Sequence, residues 1–127
     1  APTVRPLRAA VLASLPPDLG YLLDSFLQLI DADAKLAADV HALFTRHYGK
    51  PAAAFDSLSL APGITTPVLL LHDRHDDITP VAHAERLAPL LPRGRLHLTQ
   101  DLGHSGLLRD PSTVAVALAF LEAHLAD

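Results

Sequence analysis

The chain has 127 residues, half of them apolar, which is enough for one domain with a real core. A chain of this size buries about two-thirds of the surface that its unfolded form exposes. Ten Lys and Arg against fourteen Asp and Glu give a net charge of -4. That balance lacks the concentrated basic face that nucleic-acid binding needs. No apolar run approaches the ~18 residues of a membrane span. Zero cysteines exclude disulfides, thiolate zinc sites and cysteine nucleophiles, and leave the compartment open, with the cytoplasm as the default. Methionine is absent and the chain begins at Ala1, so a processed, excised or truncated protein is expected. Ala1 to Pro17 is a poor signal peptide, because its short apolar stretch is interrupted by Ser14.

The first part, residues 1–60, reads as a helical segment. Leu7, Val11 and Leu15 recur at four-residue steps, and Pro16-Pro17 stops that expected helix. Tyr21 to Ile30 is almost wholly apolar, with Leu22, Leu23, Phe26, Leu27 and Ile30 forming a wide stripe. Asp33 is placed to cap a third helix with the face Leu36, Val40, Leu43, Phe44 and His47. Gly49 stands where a C-terminal glycine belongs. A short helical turn and a Pro/Gly-containing connection then fill Pro51 to Pro67.

Residues 61–127 read as a βαβα unit. Val68-Leu69-Leu70-Leu71-His72 is an unbroken apolar run, the pattern of a parallel strand buried on both faces. Thr79 and Pro80 are expected to be the N-cap and first-turn proline of a helix with the inner face Val81, Ala84, Leu87, Ala88 and Leu91. Pro92 and Gly94 end it. Arg95 to Thr99 alternates, with Leu96 and Leu98 on one side, as a second strand would. Asp110-Pro111 repeats the cap-and-proline device before a last helix faced by Val114, Ala117, Leu118, Leu121 and Leu125. The fold class is therefore α/β, with a right-handed crossover between the strands.

Ligands of an open parallel sheet bind beyond the carboxyl ends of its strands. Two loops occupy that position: Asp73-Arg74-His75-Asp76-Asp77-Ile78-Thr79-Pro80 and Gln100-Asp101-Leu102-Gly103-His104-Ser105-Gly106. Adjacent strands would bring Asp76 against His104, where a carboxylate can fix the imidazole tautomer and stabilise an imidazolium. Gly103 and Gly106 allow a tight turn around the histidine. Asp77 is the alternative acid, or the cap of the following helix.

Over residues 58 to 125 these features resemble the α/β-hydrolases. The run from Pro67 to His72, then Asp73-Arg74-His75-Asp76, then Pro80, is similar to their acid strand and loop, and Leu102-Gly103-His104 to their catalytic-histidine loop. Asp73 is a departure, since the family commonly has glycine there. The order acid then histidine also fits. The resemblance implies the C-terminal part of a serine hydrolase acting on an ester, thioester or amide. Asp76 would orient His104 and His104 would serve as general base. No cofactor is implied. Residues 6 to 48 would be a lid-like insertion, although their apolar faces equally suit an ordinary core.

The nucleophile motif Gly-x-Ser-x-Gly is missing from the sequence. Ser105 is claimed by the histidine loop, and Ser14, Ser25, Ser57, Ser59 and Ser112 are expected to follow no strand. The serine would then come from another segment, and the isolated chain would be inactive. Two strands leave exposed edges. Association with a complementary N-terminal half, or with a second copy, is expected. The alternatives are a non-catalytic interaction module and a metal site built from His72, His75, Asp76, Asp77 and His104. His72 reads as a structural histidine, and His75, His83, His97 and His124 as surface residues.

Overall fold

The computed structural model describes residues 5–126. Its centre is a parallel sheet of three strands in the order β1 (Ala10–Ala13), β2 (Val68–Asp73) and β3 (Gly94–Thr99). Ala10 pairs with Val68 and Ala13 with Leu71; Val68 pairs with Gly94 and Asp73 with Thr99. β2 is flanked on both sides, and every one of its residues is buried. That is the burial its unbroken apolar run predicts.

β1 corrects the sequence reading, which expected a helix with Leu7, Val11 and Leu15 on its face. Leu7 is exposed instead, and Ala10–Ala13 runs as a strand. Four alanine-rich residues carry little preference of their own, and the unpaired backbone edge of β2 supplies what decides them. The expected two-stranded sheet thus has three strands. The expected helical segment over 1–60 also fails as a unit. The chain forms two compact units, one made of residues up to Leu15 with Leu60 onward, the other of Pro16–Ser59.

In the sheet unit, α4 (Val81–Leu87) follows β2 and α5 (Pro111–Leu125) follows β3, whereas three of the four residues of α3 (Ser57–Leu60) belong to the other unit. Leu69 and Leu71 form the core with Leu107 and Phe120, against which Val11, Leu102, Val116, Ala117 and Leu121 pack. The face of α5 differs from expectation, because Thr113 and Phe120 are buried while Leu118 and Leu125 are exposed. This helix is apolar all round, so periodicity cannot choose its inner side. Asp110 does cap it, accepting from the Thr113 N–H at 2.9 Å. In α4, His83 is buried rather than on the surface, one turn before the buried Leu87, and His97 and His124 are half-buried.

The other unit contains α1 (Leu19–Leu29) and α2 (Ala34–Tyr48). Asp18 caps α1 by accepting from the Tyr21 N–H at 2.7 Å, and Asp33 caps α2 through Leu36 N–H at 2.7 Å. Gly49 closes α2 at φ 80°, a conformation that favours glycine. Phe44, Tyr48 and Phe55 stack edgewise or tilted in one aromatic cluster. Leu19, Leu22, Leu23, Phe26 and Phe44 line an open apolar groove of about 390 Å³.

Candidate active site at the carboxyl edge of the sheet

The loops after β2 and β3 leave the sheet side by side, because the two strands are paired up to Asp73 and Thr99. This brings together the two residues singled out from sequence. Nδ1 of His104 lies 3.0 Å from Asp76 Oδ2 and 3.2 Å from Oδ1. The Asp76 side chain is fully buried, whereas that of His104 is 33% exposed. A carboxylate facing Nδ1 favours the tautomer with its proton there, and leaves Nε2 as the acceptor. Asp77, the alternative acid, is exposed.

The loop's own backbone holds Asp76 in place. Oδ1 accepts from the N–H groups of Ile78 and Thr79, both at 2.8 Å, and Oδ2 accepts from the Thr79 hydroxyl at 2.9 Å. Burial by itself would push this carboxyl up. The N–H groups of Thr79 and Ile78, the His104 ring and the Thr79 hydroxyl together hold it below the ordinary carboxylate range. Asp76 therefore keeps its negative charge at neutral pH, beside an imidazole that gains positive charge on taking up a proton.

Thr79 does not cap α4 as the sequence suggested. Pro80 occupies the cap position and makes no side-chain cap bond. The buried Thr79 hydroxyl instead faces the site, 3.4 Å from His104 Nδ1 and 3.5 Å from His72 Nε2. His72 is structural, with Nε2 2.8 Å from the Thr79 carbonyl. His75 is exposed and pairs with Asp101 at 2.6 Å. Among the described residues, no three His, Asp or Glu side chains are arranged to hold a metal ion.

Ser14 and Asp73 also belong to this edge, and neither role was read from sequence. Contrary to expectation, Ser14 follows a strand. It is buried, with φ 54°, and its hydroxyl donates to the His104 carbonyl at 2.9 Å. Its bond is to the main chain, not to the ring. Asp73 is wholly buried, and its carboxylate accepts hydrogen bonds from the histidine loop. The one available signal was its departure from the glycine usual in the motif. Gly106 is required by close approach, since a Cβ there would run into the Leu102 carbonyl oxygen.

Comparison with known proteins places this architecture. Over 48 residues the chain is 44% identical to the pimeloyl-[acyl-carrier protein] methyl ester esterase of Nitrosomonas europaea, covering 38% of this chain and 19% of that one. The structure of Rv0554 from Mycobacterium tuberculosis superposes with a TM-score of 0.64 at 20% identity, over 93% of this chain and 57% of that one. The α/β-hydrolase MGS-MChE2, from a sediment metagenome of the Mar Chica lagoon, gives 0.61 at 19% identity, over 94% and 52%. The chain thus spans just over half the length of these structures and about a fifth of the esterase. Residues 46–123, more than half of the chain, match the TAP-like protein family, and the chain belongs to that family of α/β-hydrolases.

Proposed function

We propose that Asp76 and His104 are the acid and the base of a serine-hydrolase relay acting on an ester, thioester or amide. The observation that carries this reading is the contact between His104 Nδ1 and the buried, charged Asp76 carboxylate at the carboxyl edge of a parallel sheet. His104 would take the serine proton on Nε2 and return it to the leaving group, while Asp76 holds the ring and stabilises the imidazolium. The serine would come from a segment carrying Gly-x-Ser-x-Gly, which this sequence lacks. The esterase relative supports the reaction class.

Strand β1 has β2 as its one neighbour among the described residues, so its other edge is open to a further strand. We take that edge as the place where a complementary segment, or a second copy, joins the sheet. The same edge and the absent nucleophile motif favour a second reading, a non-catalytic assembly module that keeps the hydrolase framework.

Hydrolysis of short-chain nitrophenyl esters separates the two readings. In a protein that joins this chain to a Gly-x-Ser-x-Gly segment, His104→Ala should lower kcat by about 10⁶-fold and Asp76→Asn by about 10⁴-fold. Undiminished turnover in His104→Ala would overturn the relay. The isolated 127-residue chain should show no turnover. Turnover by it that vanishes in His104→Ala would place the nucleophile inside the chain.

A further inference from the structure

The residue that breaks the family pattern, Asp73, is where the acid loop and the histidine loop are tied together. Its Oδ1 accepts from the Thr99 hydroxyl at 2.6 Å and from the Leu102 N–H at 3.1 Å. Its Oδ2 accepts from the N–H groups of Gly103 and His75, both at 3.0 Å. Its carbonyl accepts from the Asp76 N–H at 3.3 Å. One residue thus holds the backbone of Asp76 on one side and the two residues just before His104 on the other.

We propose that Asp73 is a positioning residue, whose buried carboxylate fixes where His104 sits relative to Asp76. The inference rests on the acid–base reading of Asp76 and His104. His104 stands on a loop, and a relay tolerates displacements of only about 0.5 Å. Two anchors define its main chain: the Gly103 N–H bound to Asp73 on one side, and the His104 carbonyl bound to Ser14 on the other. Gly103, at φ 68°, turns the chain between the Asp73 anchor and the ring. A glycine at this position would have no side chain to make that tie. Burial alone would raise the Asp73 carboxyl, but the bonds from Thr99, Leu102, Gly103 and His75 lower it to about 2. The clamp is therefore charged throughout the range in which His104 would work.

Proton–nitrogen NMR of the imidazoles in the ¹⁵N-labelled 127-residue chain tests this directly. In the wild type, His104 should show a single form with the proton on Nδ1. In Asp73→Asn and in Asp73→Gly the Nε2–H form should rise about tenfold, the fold-change of one hydrogen bond, while the amides of Leu69, Leu70 and Leu71 stay put. Wild-type ring signals in either variant, if folded, would overturn the assignment, because a purely structural role would change stability and leave the tautomer alone. A further measurement needs no variant. Leu102 and Gly103 amides should exchange with solvent about 10- to 100-fold more slowly than those of the exposed Asp101 and Ser105, as bonds to a charged acceptor imply. Equal rates would also overturn it. Asp76→Asn separates the two levels of the reading. If it leaves the His104 proton on Nδ1 as in the wild type, the acid–base pairing fails and Asp73 has nothing to position. If it shifts the proton toward Nε2 while the Asp73 variants do not, only the Asp73 assignment falls.

Discussion

β2 buries all six of its residues, whereas α2 buries none of its fifteen. Both segments looked apolar and ordered in the sequence, and both form the elements their patterns predict. The difference lies in neighbours. β2 has a strand on each side and helices that follow it in the chain, so its apolar side chains meet protein in every direction. α2 leaves Leu36, Leu43 and Tyr48 largely exposed, and its unit holds together through caps, an aromatic cluster and the buried Gly20, Leu27 and Ala52. Polar groups divide in the same way. The sheet unit buries Asp73, His72 and Thr79 with their hydrogen bonds made, and these lie around the candidate site. For β2 and α2 the apolar pattern gave the element, while the extent of burial sets what each contributes to stability.

This contrast can be broken by substitution. Leu71→Ala removes a side chain from the core cluster and should cost about 2–5 kcal/mol in urea denaturation. Gly106→Ala forces a Cβ against the Leu102 carbonyl and should cost about 1–3 kcal/mol, with the His104 signals moving as well. Acid titration sharpens the same point. Asp73 is lowered from 3.8 to about 2, so the folded state binds fewer protons than the unfolded state across that interval. Its stabilisation is complete above about pH 4. It is lost as pH falls from 3.8 through about 2, and Asp73→Asn should flatten that part of the profile.

Smaller effects belong to the helical unit. Asp33→Ala removes the α2 cap and should cost about 1 kcal/mol, read as fraying at the start of the helix. Leu43→Ala, at a position 56% exposed, should change stability by less than about 0.5 kcal/mol. A loss there as large as that of Leu71→Ala would erase the distinction between the two regions.

Local chemistry made much of this protein legible in the sequence. The run Val68–Leu71, the caps Asp33 and Asp110, and the glycine at 49 act through near neighbours in the chain, so they can be read without a structure. The pairing of Asp76 with His104 was legible because strand order and loop position constrain it, and the resemblance to α/β-hydrolases rested on the same residues. Other features depend on contacts between segments far apart in sequence. β1 is a strand because β2 offers it an edge. His83 and Phe120 are buried because of what lies opposite, and Ser14, Thr79 and Asp73 find partners across loops. For those residues intrinsic preference is small, and the hydrogen bonds and buried area available only in the assembled fold outweigh it.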